Sequence, residues 1–467
     1  MNHKGILRPN ILFVMADDHA AHALSCYGSR INTTPHLDRL AAEGMRFDDC
    51  YCTNSICTPS RATVLTGLYS HRNGVRTLYD RFDGRQQTFP KLLQEVGYQT
   101  GLVGKWHLGH GGNADPTGFN YWCVLPGQGE YVDPMMYLMG REHHYSGYVT
   151  TLITDLALDW LDRREPSRPF LLCVHHKAPH RPWIPHPRYA SLYERQDITE
   201  PPTFDDDYST RATAAHNAKM RIDRDLNAED LKGTPPPGLS SADEKHWKYE
   251  RYIKDYLRCV ASIDECMGRL LDYLDTAGLA ADTMVIYTSD QGFFLGDHGW
   301  FDKRFMYEES LRIPLLIRYP RVIPPGRICR RMVLNVDFAP TLLDLAETEP
   351  HEPLQGQSFR RLLEGDEAAD WRSTLYYRYW EHLSPQHEVE AHYGLRTERH
   401  KLIYYYGEAL GATGAVDLSL PPQWELFDLE ADPAELQNVY DDPAYATVVK
   451  KLTGRLAAIR QEVGDQV

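Results

Sequence analysis

Short runs of apolar residues alternate with amphipathic stretches along most of the chain, and this alternation constrains the fold more than any other feature. The apolar runs are 11–16 (ILFVMA), 98–103 (YQTGLV), 169–175 (PFLLCVH), 283–289 (TMVIYTS) and 313–319 (IPLLIRY). Continuous apolar runs of this length are typical of strands in a parallel sheet that is covered on both faces. The sequence therefore predicts an α/β fold with a mostly parallel sheet sandwiched by helices.

The segments between these runs have the pattern of helices. In segment 34–44 (TPHLDRLAAEG), Thr34 is placed to cap the helix, Pro35 begins it and Gly44 follows its end. Segment 88–97 (TFPKLLQEVG) repeats the arrangement. Amphipathic patterns predict further helices over 151–164, 245–277 and 335–345.

The texture changes near Trp371, where aromatic, alternating segments begin (TLYYRYW, HYGLRT and KLIYYYG), and a last helix is predicted from about Pro443. This favours two units, an α/β domain over 1–370 and a small α+β subdomain over 371–467 with an antiparallel sheet and one helix. Two units also suit a chain of 467 residues. Segment 185–244, polar and rich in Pro, Asp and Thr, is predicted to be a surface insertion.

Composition excludes several classes of function. The formal net charge is −15, which argues against nucleic-acid binding and against docking on anionic membranes. No run approaches the ~18 apolar residues of a transmembrane helix. The first apolar run ends in two aspartates without a small-residue cleavage site, so no signal peptide is predicted and a cytoplasmic location is expected, or a periplasmic or secreted one if a leader was removed. The nine cysteines contain no C-x-x-C pair, which argues against a disulfide framework or a zinc ribbon.

Polar side chains follow two of the apolar runs directly. Asp17 and Asp18 follow run 11–16, and Asp290 and Gln291 follow run 283–289. Because ligands bind outside the carboxyl ends of strands in open α/β sheets, these side chains are expected to meet at one site. Their oxygen donors suit Ca²⁺ or Mg²⁺ better than zinc. The alternative is that they are helix caps and turn residues, where Asp is common.

One short motif decides between these interpretations. Residues 57–61 read CTPSR and continue as ATVLTG. Further blocks are RPNILFVMADD, GKWHLG at 104–109, SDQG at 289–292, GWFDKRFMYEES at 299–310 and ELFDLEADPAELQN at 425–438. Together and in this order they resemble the type I sulfatases, a formylglycine-dependent family of the alkaline-phosphatase-like superfamily. The alternative for CTPSR alone is a buried cysteine before a Pro-Ser helix start.

The resemblance implies a fold, a nucleophile and a metal. The fold is an alkaline-phosphatase-like α/β domain with a small C-terminal sheet. Cys57 would be oxidised to formylglycine by a maturation enzyme, and its hydrate would attack sulfur and later expel sulfate. Asp17, Asp18, Asp290 and Gln291, together with the modified Cys57, would hold one divalent ion, expected to be Ca²⁺, as a Lewis acid. The family often has Asn or His where Gln291 stands, but Gln still offers an oxygen.

The same resemblance assigns five further residues. Arg61 would stabilise the hydrate, Lys105 would bind sulfate, and His107 would bond the nucleophile and act as a base. His180, in HHKAPHRP, and Lys303 would bind sulfate oxygen and protonate the leaving group. His175 and His176 align less securely.

A P-loop reading of Gly-Lys at 104–105 fails. Gln99 stands where that motif requires a glycine, and Trp106 stands where it requires Ser or Thr.

Three segments are predicted to surround the pocket: 111–148, 185–244 and 382–392. Candidate rim residues within or next to these segments are His110, His143, His144, Arg181, Trp183 and Glu388. Aromatic and charged rims suit sugar rings, aryl groups or plain surface. The motif blocks look most similar to sulfatases of sulfated carbohydrates, and such a sulfate ester is the expected substrate.

Two rival functions stay open at this point. A phosphonate monoester or phosphodiester hydrolase of the same superfamily is the first, because some of these enzymes also use formylglycine in a Cys-x-Pro-x-Arg motif. A non-catalytic binding protein that keeps the fold is the second. That class is expected to have lost the nucleophile, the arginine, a lysine or a metal ligand, and this sequence keeps all of them.

Overall fold

The computed structural model describes residues 8–29, 31–366 and 370–466. Within these residues the strands are β1 (Asn10–Ala16), β2 (Met45–Phe47), β3 (Cys50–Tyr51), β4 (Gln99–Lys105), β5 (Tyr121–Leu125), β6 (Met135–Leu138), β7 (Arg141–His144), β8 (Phe170–His175), β9 (Thr283–Ser289), β10 (Phe294–Leu295), β11 (Phe301–Asp302), β12 (Leu315–Arg318), β13 (Arg327–Cys329), β14 (Val333–Leu334), β15 (Thr374–Tyr379), β16 (His392–Thr397), β17 (His400–Tyr405) and β18 (Gln423–Asp428).

The helices of the same ranges are α1 (Pro35–Glu43), α2 (Cys57–Thr66), α3 (Ser70–Asn73), α4 (Phe89–Glu95), α5 (Val149–Arg163), α6 (Thr213–Asn217), α7 (Ala228–Leu231), α8 (Ser241–Thr276), α9 (Glu308–Leu311), α10 (Phe338–Leu345), α11 (Arg360–Leu363) and α12 (Ala446–Glu462). None of these helices is both long and apolar enough to span a bilayer.

A large sheet forms the centre of the molecule, with the strand order β13-β2-β12-β9-β1-β8-β4-β5-β6-β7. Its middle strands, from β9 to β5, run parallel, and antiparallel pairs flank them on both sides. Ile11, Phe13 and Met15 of β1 point into one hydrophobic core, whereas Leu12 and Val14 point into the other. The predicted mostly parallel sheet sandwiched by helices is confirmed.

A second sheet lies in the C-terminal part of the chain, where β15, β16, β17 and β18 form antiparallel neighbours. Its buried side chains, among them Leu375, Leu395, Leu402 and Leu426, belong to the same core as Phe13 of β1. The small C-terminal antiparallel sheet is therefore confirmed, and it packs on one face of the large sheet. The fourth strand, β18, was not predicted, because its pattern QWELFD overlaps the closing motif block.

Most predicted elements are found within two residues of their expected bounds, and β9 matches its predicted range. Helix α8 begins four residues earlier than expected, at Ser241. Segment 335–345 opens with a short 3₁₀ turn, Asn335–Asp337, before α10 begins. The predicted boundary at 370/371 is tested by none of these observations and stays a prediction.

Two local explanations for α1 were wrong. Thr34 stands at the N-cap position, but its hydroxyl accepts from Ser25 N (3.0 Å) and donates to Asp38 (3.3 Å) instead of capping the helix. Gly44 has a φ of −140°, so it does not form a left-handed helix end. A Cβ atom at Gly44 would lie 2.2 Å from the carbonyl oxygen of Ile317 in β12. Close approach to that strand is what requires glycine here.

Segment 185–244 contributes to the interior as well as to the surface. Ala214, Met220 and Ile222 are fully buried in it. The amide of Ala212 donates to Glu425 of the C-terminal sheet at 2.8 Å, and the amide of Lys219 donates to the carbonyl of His387 at 2.7 Å. The segment is thus bonded to the C-terminal part of the chain at two points.

Candidate active site

Two neighbouring parallel strands bring the predicted carboxylates together. Ala16 of β1 stands opposite Ser289 of β9, so Asp17 and Asp290 follow the two strands side by side. Oxygens of Asp17, Asp18 and Asp290 all lie within 4.8 Å of one another. The backbone N–H of Asp18 donates to Asp290 Oδ1 at 3.2 Å, and Asp18 adopts a φ of +68°. The strand-end prediction therefore describes the geometry of this acidic cluster correctly.

Three cationic side chains neutralise the cluster. Lys303 Nζ contacts both oxygens of Asp18, at 2.6 and 2.7 Å. Arg61 donates to Asp290 Oδ2 at 3.0 Å, and Lys105 forms an ion pair with Asp17. Buried charges need such partners, because an isolated charge in a protein interior is very costly.

The acidic cluster has strongly perturbed carboxyl groups. Burial raises the pKa of Asp18 to about 6, against the opposing charge of Lys303. Burial, followed by the negative charge of Asp17, raises the pKa of Asp290 to about 7. Burial also acts on Asp17, but Lys105 and other nearby cations outweigh it and hold the pKa of Asp17 well below its usual range. Further positive charge between these groups would stabilise their ionised forms.

Two buried oxygen atoms in the acidic cluster lack hydrogen-bond partners within the described part of the chain. They are Asp17 Oδ1 and the amide oxygen of Gln291. The Gln291 amide nitrogen donates to Asp18 Oδ1 at 2.5 Å. Buried polar atoms are normally paired, so two orphaned oxygens beside three carboxylates fit an additional ligand. An all-oxygen donor set of this kind suits a hard divalent cation.

Cys57 lies beside the acidic cluster. It begins α2, is 1% exposed, and its Sγ lies 3.7 Å from the Gln291 amide nitrogen. Ligand atoms of Cys57, Asp17 and His180 lie within 4.8 Å of one another. Burial raises the pKa of the Cys57 thiol to about 12, although Lys303 and Lys105 oppose it. An unmodified thiol with this pKa is a poor nucleophile near neutral pH.

The start of α2 is bonded to the end of β9. Ser60 Oγ donates to the backbone carbonyl oxygen of Asp290 and accepts from the side-chain amide nitrogen of Asn335 at 2.9 Å. Arg61 also donates to the carbonyl oxygen of Lys105 at 2.9 Å. Within the CTPSR motif, Ser60 and Arg61 therefore anchor the start of α2, and with it Cys57, against the acidic cluster.

Two histidines flank Cys57 on different sides. His180 Nδ1 lies 2.7 Å from the carbonyl oxygen of Arg181, so Nδ1 carries the proton and Nε2 faces Asp18 at 3.8 Å. His107 Nδ1 lies 3.3 Å from Thr58 Oγ1, one residue after Cys57. Burial holds the pKa of both histidines well below the usual range, and Lys105 adds to the effect.

Comparison with known proteins places this geometry in a family. The family model described as Sulfatase matches residues 9–348, and the model described as N-sulphoglucosamine sulphohydrolase, C-terminal, matches residues 296–462. The chain is 41% identical to an N-acetylglucosamine-6-O-sulfatase of Bacteroides thetaiotaomicron, over 98% of this chain and 87% of that protein.

This chain belongs to the sulfatase family.

Solved structures agree with that assignment. The structure of a protein in complex with its substrate D-glucosamine-2-N,6-O-disulfate has a TM-score of 0.92 and 41% identity, covering 98% of this chain and 99% of that one. A phosphonate monoester hydrolase of Agrobacterium radiobacter has a TM-score of 0.76 at 23% identity, covering 98% and 96% of the two chains. The latter likeness shows the shared fold alone. The sulfatase is accordingly a sulfuric ester hydrolase.

The predicted site residues of the sulfatase lie in one cluster. Of the predicted rim residues, at least one is buried and does not lie at the surface. Trp183 is fully buried against Tyr252, Phe293 and Phe301, so its assignment to the rim was wrong. The side chains of His143 and His144 are exposed on the edge strand β7.

The two less securely aligned histidines of the sulfatase lie beneath its site. His175 Nδ1 lies 3.2 Å from the carbonyl oxygen of Lys105. His176 is fully buried, and burial lowers its pKa to about 4.

Four polar residues beside Lys303 were missed by sequence reasoning. Asp302 accepts from Arg304 at 2.5 Å and lies 3.8 Å from His387 Nε2. Arg304 Nε, His387 Nδ1 and Glu381 Oε2 are buried and lack hydrogen-bond partners among the described residues. Asp302 and Arg304 flank Lys303 in the quoted motif, which was an available signal. Glu381 and His387 lie in the loop after β15. The predicted rim segment 382–392 contains His387 without singling it out, and Glu381 directly precedes that segment.

Proposed function

We propose that this sulfatase removes the 6-O-sulfate group of glucosamine or N-acetylglucosamine units in sulfated carbohydrates. The observation that carries the proposal is the 41% identity, over 98% of the chain, to a protein named for that activity. The 0.92 TM-score to a protein bound to D-glucosamine-2-N,6-O-disulfate supports the same substrate class.

We further propose that Cys57, Asp17, Asp18, Asp290 and Gln291 form the reactive centre with one divalent cation, Ca²⁺. The cation would stabilise the negative charge on the sulfate oxygens as a Lewis acid. The orphaned oxygens of Asp17 and Gln291 and the proximity of the three carboxylates support this assignment. After conversion to formylglycine by a maturation enzyme, position 57 supplies a hydrated aldehyde as the nucleophile.

The surrounding side chains supply charge and proton transfer. Lys105 pairs with Asp17 and Lys303 pairs with Asp18, and from these positions their ammonium groups can attract sulfate oxygens as well. His180 presents Nε2 to the same space, because Nδ1 is held by the carbonyl of Arg181. His180 is therefore the proposed proton carrier for the leaving oxygen, and His107 is the proposed base beside the nucleophile. Arg61 favours the ionised form of Asp290 through its 2.9–3.0 Å contacts, against the opposing effects of burial and of Asp17.

The buried polar groups next to Lys303 are the proposed contacts for the sugar. Arg304, His387 and Glu381 hold unpaired donors and acceptors at the wall that follows Lys303. A sugar ring presents hydroxyl groups that can satisfy both kinds of atom. Unpaired buried groups reject ligands that lack the matching hydroxyl, so this wall would select the sugar.

The test is release of free sulfate from a panel of sulfated monosaccharides, with p-nitrophenyl sulfate and an aryl phosphonate as additional arms. We expect kcat/KM for N-acetylglucosamine-6-sulfate to exceed the values for N-acetylglucosamine-3-sulfate and for galactose-6-sulfate by at least about a hundredfold. Faster turnover of the aryl phosphonate than of every sulfate ester would instead identify a phosphonate hydrolase.

A further inference from the structure

A cavity of about 310 Å³ has His107 in its wall. We call it the His107 cavity. Its walls come from three segments, 78–81, 106–116 and 124–127, together with Tyr137 of β6. None of the catalytic roles assigned above uses it, apart from the ring of His107 that forms part of its wall.

Two walls of the His107 cavity continue directly into the reactive centre. His107 stands between the cavity and Thr58, the residue after Cys57. The segment 124–127 leads into Gln128, whose side chain accepts from Lys105 Nζ. A ligand seated in the His107 cavity is therefore separated from Thr58 by the side chain of His107, and the loop that lines it contacts Lys105 through Gln128.

A stacked pair of aromatic rings lines the His107 cavity and leaves only the outer ring faces for a ligand. The His110 and Tyr137 rings are stacked, with centroids 3.7 Å apart and planes inclined by 9°. Tyr79, which also lines the cavity, is 48% exposed. Concave sites with aromatic walls and a few polar groups are typical of small-ligand binding, and flat aromatic rings suit the apolar face of a sugar ring.

The same cavity contains a cation without an acidic partner. Arg81 donates to the carbonyl oxygens of His110 and Gly111 at 2.6 and 3.1 Å, and no carboxylate of the described ranges lies within 4 Å of its guanidinium group. Neither of the two acids that line the cavity forms an ion pair with Arg81. Asp80 accepts from the amides of Arg76 and Thr77, and Asp115 lies 3.0 Å from His110. The positive charge of Arg81 is thus available to a ligand.

We propose that the His107 cavity is a second sugar subsite, which holds a negatively charged sugar unit joined to the sulfated glucosamine. The stacked rings would support the sugar ring, and Arg81 would pair with its carboxylate or sulfate group. This inference rests on the proposed function, because the first subsite must hold a sulfated sugar for the second to adjoin it.

The test compares three ligands that share 6-sulfated N-acetylglucosamine: the monosaccharide, a disaccharide with a uronic acid and a disaccharide with neutral galactose. Binding is measured by calorimetry in the Cys57→Ala background, where turnover does not interfere, and kcat/KM is measured in the unmutated enzyme. We expect the uronic acid disaccharide to bind about tenfold more tightly than the monosaccharide, with the galactose disaccharide between them.

The Arg81→Gln substitution keeps a donor for the carbonyl of His110 but removes the charge. It should abolish the advantage of the uronic acid disaccharide over the galactose disaccharide, and Arg81→Lys should restore part of it. Tyr137→Leu should lower the affinity for both disaccharides by about fivefold relative to the monosaccharide. Arg85→Gln is the matched control, because Arg85 is paired with Asp83 outside the cavity and should change none of the ratios.

Equal affinity for all three ligands, or an equal effect of Arg81→Gln on all three, would overturn the subsite. An advantage for both disaccharides that survives Arg81→Gln unchanged would overturn the assignment of a charged sugar. Failure of the proposed function is distinguishable, because the unmutated enzyme would then release no sulfate from any of the three ligands, whereas failure of the subsite alone would leave sulfate release from the monosaccharide intact.

Discussion

Two regions contribute to the active site in different ways. One is the edge of the large sheet at which its parallel strands have their carboxyl ends, called the sheet edge below, and the other is the C-terminal sheet with its loops. At the edge, β1 and β9 place their terminal aspartates in adjacent register, and Cys57 and Arg61 come from one helix start. The C-terminal part contributes through the loop after β15, which brings Glu381 and His387 to the wall beside Lys303. Under the proposed function, the residues at the sheet edge perform the chemistry and the residues of the C-terminal part select the sugar.

The two parts are joined through the segment that follows Lys303. Glu308 of α9 pairs with Lys401 of β17 at 2.9 Å and with Arg396 of β16 at 3.0 Å. Lys401 is fully buried and also pairs with Glu435. Since α9 begins five residues after Lys303, docking of the C-terminal sheet and placement of this lysine depend on the same short stretch.

The largest expected effect falls on the sheet edge. Cys57→Ala removes the nucleophile and Asp290→Ala removes a member of the acidic cluster, so each should lower kcat/KM by about 10³-fold or more. Asp290→Ala should also lower the content of divalent metal measured by elemental analysis. Activity retained by either variant would contradict the assignment of chemistry to this edge.

The Lys401→Met substitution tests how strongly the C-terminal sheet depends on its buried ion pairs. It leaves Glu308 and Glu435 without their shared cation, and breaking a buried pair in this way costs about 3–5 kcal/mol. We expect a clear loss of free energy of unfolding in urea titration. An unchanged midpoint would show that these pairs do not hold the sheet in place.

The His387→Ala substitution separates selection from chemistry. It should lower kcat/KM for N-acetylglucosamine-6-sulfate by about tenfold or more, because a polar contact to the sugar is lost. Hydrolysis of p-nitrophenyl sulfate, which has no sugar hydroxyls, should change much less. Equal losses on both substrates would mean that the C-terminal wall acts on the chemistry as well.

The Trp183→Phe substitution has the smallest expected effect. Because Trp183 is packed in the interior, the change should cost about 1–2 kcal/mol of stability and leave the ratio of kcat/KM values for sugar and aryl sulfates unaltered. A changed ratio would return Trp183 to the rim of the pocket.

The sequence predicts the sheet edge far better than the C-terminal wall, for physical reasons. Asp17 and Asp290 were placed by a rule that depends only on parallel strands and their ends. Cys57, Lys105 and Lys303 came from motifs whose residues are close in sequence. His387 lies in the predicted rim segment 382–392 but was not singled out, because it reaches Asp302 only through packing between distant segments.

Local patterns also had limits within the large sheet. The role of Gly44 depends on how closely β12 approaches it, and no pattern within α1 carries that information. Trp183 is an aromatic residue of the type expected at the rim of a sugar site. It is buried instead, because aromatic neighbours from α8 and from the segment after β9 pack around it.

Mass spectrometry of the tryptic peptide spanning residues 47–61 tests the account most directly. This peptide contains Cys50, Cys52 and Cys57, so alkylation of the first two provides an internal control. For active enzyme produced together with a formylglycine-generating maturation enzyme, we predict an aldehyde at position 57 that a hydrazine reagent traps, in proportion to specific activity. Fully active enzyme in which all three thiols are alkylated and no aldehyde is trapped would contradict the account.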